Sequence, residues 1–216
     1  VIKKESRRYP PPPLITSTMQ QVANRLLGFS SRQTMRVAQH LYEQGLITYH
    51  RTDSTALAKE AVEKIRNLIL EKYGTNFLPS EPFFYRTRSR VAQEAHEAIR
   101  PTDVRHQEIG LGGQEEKLYR LIWRRAVASQ MTPAVFEKVT ARIKKGPYLF
   151  ETSGQKLVFP GFRQILGKEF LDSNFPDLKK GEEVSPFCLS PLKLETNPPP
   201  RYNEASLIAV LEKEGI

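Results

Sequence analysis

The sequence predicts a mixed α+β fold in which a helical part is flanked by short β strands. Apolar residues recur at helical spacing over most of residues 16–130, and they alternate in the manner of a strand from Val135 onward. Residues that cap and stop helices, such as Ser30 and Gly28, punctuate the helical part. With 216 residues, 39% of them hydrophobic and 26% charged, the chain can bury a sizeable core.

Start and stop signals predict two helices after the extended proline run at residues 10–13. The strand-like residues 46–49 follow, and this order of helix, helix and strand is typical of a winged helix-turn-helix. The predicted caps and ends are Ser17 or Thr18 with Gly28 for the first helix, and Ser30 with Gly45 for the second.

The rest of the chain reads as further helices, followed by a small antiparallel β unit. A glycine-rich stretch at residues 110–113 lacks the Gly-Lys-Ser/Thr of a P-loop, so it predicts only a flexible loop. The predicted helices run from Asp53 or Ser54 to Tyr73, then over 91–100, 115–130 and 204–214. The predicted strands cover 135–143, 148–151, 156–159 and 184–189, with Ser153-Gly154 as a hairpin turn.

Composition narrows the classes of partner. A formal net charge of +9 and a pI of about 9.7 favour a polyanion such as nucleic acid, although a surface that is basic for solubility would give the same numbers. The single cysteine, Cys188, excludes an internal disulfide and a cysteine-based zinc site. We expect a cytoplasmic protein with no membrane partner, because no apolar run reaches membrane-spanning length and no signal peptide is present.

Residues 45–54 carry the candidate chemistry. Strand-like alternation would place Tyr49 and Arg51 on one face and His50 on the other. A phenol is ordinarily a poor nucleophile at neutral pH, with a pKa near ~10, but an adjacent guanidinium favours the phenolate and can hold a phosphate. Such a pair could attack phosphorus. Spacing alone favours a half-buried tyrosine beside a solvated arginine, because so short a pattern has low specificity.

The complete segment of residues 45–54 is more specific than the spacing of Tyr49 and Arg51 alone. It closely resembles the active-site segment of type IA DNA topoisomerases. Three further segments resemble the same family, in the family's order, and the four segments are spread over most of the chain, from residue 12 to residue 207. The four segments are Gly45-Leu46-Ile47-Thr48-Tyr49-His50-Arg51-Thr52-Asp53-Ser54, residues 12–21, Gln93-Glu94-Ala95-His96-Glu97-Ala98-Ile99-Arg100-Pro101-Thr102 and residues 200–207.

The resemblance implies roles for three residues. Tyr49 falls where the family has its nucleophilic tyrosine, and Arg51 where it has its active-site arginine. His96 falls where the family has a histidine beside the active site, which suits it to position a phosphate. His50 occupies a position that is often apolar in the family, so no role is carried over to it.

Basic residues on or near the predicted helices are candidate DNA contacts, although each could equally be a solvated cation or, for Arg100, a helix cap. The aromatic, arginine-rich residues 75–90 predict either a clamp for a single strand or an anchored surface loop. The candidate DNA-binding residues are Arg25, Arg32, Arg36, Arg100 and Arg201.

The resemblance also implies a division into domains. Residues 9–134 would form a helical, winged-helix-like domain with the active-site tyrosine, inserted into a small antiparallel β arch domain made of residues 1–8 and 135–197. Residues 198–216 would begin a DNA-gate domain. We expect the chain to be a fragment of a longer protein whose acidic metal-binding domain lies elsewhere. No metal site or cofactor is therefore expected in this chain, and Mg²⁺ is expected in the complete enzyme.

The implied activity is transient cleavage of single-stranded DNA through a 5′-phosphotyrosyl intermediate, strand passage and religation, which relaxes negatively supercoiled DNA without ATP. We expect a monomer that works with the remainder of the same polypeptide near the nucleoid, and a fragment that is inactive alone. Two other classes compete with this one: a non-catalytic winged-helix DNA-binding module and a scaffold with only protein partners. A covalent phosphotyrosine adduct distinguishes the enzyme from the first, and salt-dependent DNA binding from the second.

Overall fold

A computed structural model of the chain describes residues 1–85, 97–167, 176, 178–185 and 192–215. Within them the fold is mixed, with a three-stranded antiparallel sheet beside a group of helices. No helix in these residues has the length and hydropathy to cross a membrane. The strands are β1 (Ile2–Arg8), β2 (Ala134–Lys145) and β3 (Tyr148–Phe159), and the helices are α1 (Thr16–Leu27), α2 (Ser31–Glu43), α3 (Lys59–Tyr73), α4 (Gly113–Ala128), α5 (Arg163–Leu166) and α6 (Glu204–Glu214).

Local capping explains where α1 and α2 begin and end. Gly28 ends α1 in the left-handed region with a φ of 69°, as its position after the last apolar residue predicted. The Ser30 hydroxyl caps α2 by accepting a hydrogen bond from the Gln33 amide. The cap predicted for α1 was wrong, because Ile15 is the N-cap and its amide donates to the Thr18 hydroxyl at 3.0 Å.

The core lies where the helices α1 to α4 meet the start of β2. The central helix α4 buries Tyr119 and Trp123 almost completely. Their polar atoms hold the preceding loop, since the Trp123 indole donates to the Val104 carbonyl at 2.7 Å and the Tyr119 hydroxyl to the His106 carbonyl at 2.6 Å. The other large, fully buried side chains are Leu14, Met19, Leu41, Ile47, Ile65, Ile69, Ile99, Leu118, Ile122 and Phe136.

The sheet has the order β1-β2-β3, so strands from before and after the helical part are neighbours. Residues 2–8, which the resemblance assigned to the β arch domain, form β1 and pair with β2. The hairpin turn predicted at Ser153-Gly154 was wrong, because both residues lie inside β3 and pair with β2. Gly146, with a φ of 58°, lies in the turn between the two strands instead.

Four other predicted elements differ from the structure of the described residues. Residues 46–49 form no strand, and Ile47 makes only an isolated bridge to Pro101. The helix expected from Asp53 or Ser54 begins at Lys59, because the Thr52 and Ser54 hydroxyls cap turns within the preceding loop. Residues 97–100 are not helical and residues 184–185 are not in a strand; the remainder of both predicted elements lies outside the described residues.

Candidate active site

The loop of residues 46–54 is part of the connection between α2 and α3, and its first half is held through Thr48. The Thr48 amide donates to the Arg100 carbonyl at 2.9 Å. The Thr48 hydroxyl donates to the Ala98 carbonyl at 2.8 Å and accepts from the Arg100 amide at 2.9 Å. These bonds attach the chain immediately before Tyr49 to residues 98–100.

The second half of the loop is held by Thr16, the first residue of α1. Its hydroxyl donates to the His50 carbonyl at 2.9 Å and accepts from the Thr52 amide at 2.9 Å. Its own amide donates to the Thr52 carbonyl, also at 2.9 Å. Tyr49 is therefore carried on a loop whose backbone is anchored on both sides, which limits its freedom to move.

Side chains alternate between solvent and core along this loop, as the sequence pattern predicted. Tyr49 is 41% exposed and Arg51 is also exposed, whereas His50 is fully buried. This alternation occurs although residues 49–51 join no sheet ladder and the chain bends at His50 and Arg51. Tyr49 and Arg51 thus reach solvent from positions two residues apart.

The Tyr49 ring is braced by two other rings. The centroid of Tyr42, in the last turn of α2, lies 5.3 Å from that of Tyr49 at an interplanar angle of 64°. The His50 ring lies 5.5 Å from Tyr49 and 5.8 Å from Tyr42. These are edge or tilted contacts of the kind that aromatic rings favour. Tyr42 is 40% exposed and packs on Tyr49.

His50 is buried without a hydrogen-bond partner for either ring nitrogen among the described residues. Burial first, and then the charge of Arg51, lower the pKa of His50 below its usual value, and Glu43 opposes them. His50 is therefore neutral at neutral pH, and Arg51 is the cation among the two residues that follow Tyr49 in the sequence.

The structure uses Arg100 internally. Its guanidinium makes a bidentate contact with the Glu97 carboxylate, at 2.7 and 3.3 Å, and donates to the Pro101 carbonyl at 2.9 Å. The Arg100 side chain is only 15% exposed. A DNA phosphate would have to compete with Glu97 for the Arg100 guanidinium. A DNA contact by Arg100 therefore remains a prediction.

The other candidate DNA-binding arginines lie on the surface. Arg25 is in the last turn of α1, and Arg32 and Arg36 are exposed on α2. Arg201 is exposed before α6, whose residue Glu204 accepts from the amide and hydroxyl of Ser31 at the start of α2. Their contacts with DNA remain predictions.

His96 and the arginines of residues 86–90 lie outside the described residues. The neighbouring Glu97 is described, and its carboxylate accepts a hydrogen bond from the Ala58 amide. In the described ranges no group of three His, Cys, Asp or Glu side chains could hold a metal ion, so these residues do not fit Mg²⁺.

Sequence reasoning overlooked several residues of this site. His50 and Tyr42 brace Tyr49, while Thr16, Thr48 and Thr52 anchor its loop. A weak signal existed, because β-branched hydroxyl residues flank Tyr49 closely on both sides. Nothing in the sequence pairs Thr16 with Thr52, which lies 36 residues away.

Comparison with known proteins gives the class of this fold and site. A family model described as DNA topoisomerase matches residues 1–216. The chain therefore belongs to the DNA topoisomerase family, and its relatives place it with the bacterial type IA enzymes.

Individual relatives agree with this assignment. The chain is 45% identical over 230 residues to DNA topoisomerase 1 of Helicobacter pylori, covering 100% of this chain and 31% of the relative. It is 45% identical over 219 residues to DNA topoisomerase 1 of Vibrio cholerae, covering 99% and 25%. The structure of full-length topoisomerase I from Thermotoga maritima matches with a TM-score of 0.80 and 37% identity, covering 100% of this chain and 37% of that one. The chain thus spans between a quarter and a third of the length of these two curated relatives.

Proposed function

We propose that this chain carries the DNA-cleaving tyrosine of a type IA topoisomerase, with Tyr49 as the nucleophile. One observation carries the proposal: the Tyr49 side chain is exposed on a loop whose backbone is anchored on both sides. A nucleophile must be accessible to its substrate and held in position, and this loop meets both requirements.

In the proposed reaction the Tyr49 phenolic oxygen attacks a backbone phosphorus of single-stranded DNA. A bond forms from the phenolic oxygen to phosphorus, and the bond from phosphorus to the 3′ oxygen breaks. The phenol gives up its proton, and the 3′ oxygen takes one as it leaves. The 5′ phosphate stays on the tyrosine. Because one ester replaces another, religation needs no ATP.

Arg51 is proposed to stabilise the negative charge that develops on the phosphate oxygens. Removing one well-placed donor of this kind from an active site typically costs about 3 kcal/mol of transition-state stabilisation. The resemblance in the sequence supports His96 as the residue that positions the phosphate. The roles of Arg51 and His96 are proposed from their residue types and from the motifs that match the family.

The wider proposal concerns the complete enzyme. The complete enzyme relaxes negatively supercoiled DNA by passing a strand through the break. It works as a monomer at the nucleoid in the cytoplasm. Its Mg²⁺ is held by residues outside this chain. Residues 9–134 form the winged-helix-like tyrosine domain within a β arch of residues 1–8 and 135–197, and residue 198 begins the gate domain. The pairing of β1 with β2 across the helical part supports this division.

The test is covalent capture. The complete protein carrying Tyr49→Phe should bind a labelled single strand as the wild type does and should form no denaturant-resistant adduct, because only the hydroxyl is lost. Tyr42→Phe is the matched control: it removes a hydroxyl from the neighbouring ring and should keep the adduct. An adduct formed by Tyr49→Phe would show that another residue is the nucleophile.

A further inference from the structure

The helix α4 presents a row of cations beside a groove that the sequence analysis did not single out. Positions i, i+3, i+4, i+7 and i+8 of a helix share one face. On α4 this face holds Lys117, Arg120, Leu121, Arg124 and Arg125, while the opposite side of the helix is buried in the core. Four of its five residues are therefore cationic.

The groove lies between this face, the second half of α1 and α5. Its volume is about 390 Å³. Its apolar walls include Leu26, which is 44% exposed, and Leu27 and Leu166. Cations at one side and leucines at the other make a concave surface that suits a ligand with separate charged and apolar parts.

Two of the four cations on this face lack an acidic partner within the described residues. Like charges three or four residues apart on a helix destabilise it by a few tenths of a kcal/mol per pair. Glu108 pairs with Arg120 at 3.4 Å. Across the described ranges no carboxylate lies within ion-pair distance of Lys117 or Arg124. An anionic ligand would supply the missing charge.

We infer that this groove binds the backbone of a single DNA strand, outside the site of cleavage. From Lys117 to Arg124 the face is about 10 Å long, which corresponds to roughly three nucleotides at the spacing of a stacked strand. A single strand also exposes sugar and base faces that leucines can cover, whereas a duplex hides its bases.

The groove and Tyr49 lie at opposite ends of α1. Thr16, which anchors the Tyr49 loop, begins α1, and the groove starts near Val22 and continues to Leu27. A strand held here is gripped away from its scissile phosphate. The inference rests on the proposed function for its choice of ligand.

The experiment compares charge reversals in the complete protein. Lys117→Glu/Arg124→Glu is titrated with a fluorescent oligo(dT) strand over a range of KCl concentrations. Lys144→Glu/Lys145→Glu, at the exposed end of β2, changes the net charge by the same amount and is the matched control. Lys117→Gln/Arg124→Gln repeats the test without adding negative charge, and circular dichroism checks that every variant is folded.

We expect the groove reversal to weaken binding by about tenfold or more, and to reduce the slope of log K against log salt by about 1.4, the contribution of two phosphates on a single strand. The control should retain the wild-type slope, and the glutamine pair should lower the slope in the same direction as the reversal. Equal affinities and slopes for the groove and control variants would overturn the inference in favour of an acidic protein partner or a solvated face.

Adduct formation at saturating DNA separates this inference from the proposed function. A groove variant that binds weakly should still form the Tyr49 adduct once saturated. Absence of an adduct in the wild type would contradict the proposed function, and the titration would still decide whether the groove holds a strand.

Discussion

At the scale of single residues, the candidate site is an exposed phenol on a buried support. The rings of His50 and Tyr42 contact the Tyr49 ring and each other, so the orientation of Tyr49 depends on their packing. Arg51 emerges on the exposed side of the same loop. The exposed candidate catalytic residues, Tyr49 and Arg51, thus alternate with the buried packing residue His50 in one short segment.

Arg51→Ala in the complete protein should slow DNA cleavage by one to a few orders of magnitude, the effect of removing one donor to a developing charge. His96→Ala should be milder, because a neutral hydrogen-bond partner contributes less than a fixed charge. Arg142→Ala, on the sheet and paired with Glu151, is the control. The measurement is the single-turnover rate of adduct formation. An unchanged rate for Arg51→Ala would remove its catalytic role.

His50 should make the fold less stable in acid. Its pKa is lowered in the folded protein, so as pH falls below ~6.5 the unfolded chain takes up a proton that the folded chain excludes. The unfolded state then binds more protons, and the free energy of unfolding decreases until the pH passes the folded pKa. Thermal unfolding at pH 7.5 and pH 5.5 should show a smaller difference for His50→Met than for the wild type.

His106→Gln is the control for this measurement, because the His106 side chain is 70% exposed. It should leave the wild-type difference in place. If His50→Met lost as much stability between the two pH values as the wild type, His50 would not be the residue that excludes the proton.

At the scale of elements, the end of β3 is pressed closely against the chain that leads into β2. Gly161 has a φ of 49°, and a Cβ there would lie 2.4 Å from the carbonyl oxygens of Thr132 and Pro133. The Phe162 amide donates to the same Thr132 carbonyl at 2.9 Å. The contact joins the sheet to the end of the helical part through backbone atoms, which cannot move aside cheaply.

Gly161→Ala should therefore cost more stability than Gly28→Ala. Gly28 also has a positive φ, but a Cβ there would meet nothing within 4 Å. The alanine at position 28 should cost about 1–2 kcal/mol, the ordinary penalty of the left-handed region. The alanine at position 161 adds a backbone clash to that penalty. Urea unfolding measures both, and equal losses would mean that the backbone relaxes freely around residue 161.

At the scale of the whole molecule, this chain spans 31% of the length of the Helicobacter pylori relative, so its behaviour without the rest of the polypeptide can be tested. We expect the 216-residue chain by itself to bind single-stranded DNA weakly, with affinity that falls steeply as salt is added, because its net charge is +9. We expect it not to relax a negatively supercoiled plasmid in Mg²⁺, because in the proposed reaction the proton for the leaving 3′ oxygen and the strand gate come from the remainder of the polypeptide. Circular dichroism would first confirm that the chain is folded.

The remaining part of the polypeptide, added back to the same reaction, should restore relaxation. Robust relaxation by the chain alone would show that the proton donor and the strand gate both lie within these residues. Binding that does not respond to salt would instead contradict the electrostatic contribution to DNA recognition.

The sequence by itself determined the features that depend on neighbours along the chain. The end of α1 at Gly28, the cap of α2 at Ser30 and the end of α3 at Tyr73 follow from local backbone and hydrogen-bond rules, and each prediction was confirmed. The alternation of exposed Tyr49 and Arg51 with buried His50 was also predicted, although the strand that the prediction assumed does not form.

Only the tertiary structure decided which distant segments of the chain contact one another. Residues 2–8 become a strand because β2, more than 120 residues later, supplies their hydrogen-bond partners. The Tyr49 loop is anchored by Thr16 and by residues 98–100, which lie more than 30 residues away in the sequence. Local propensity acts over a few residues, whereas these contacts depend on packing between segments that are distant in sequence, so no pattern within either segment encodes its partner.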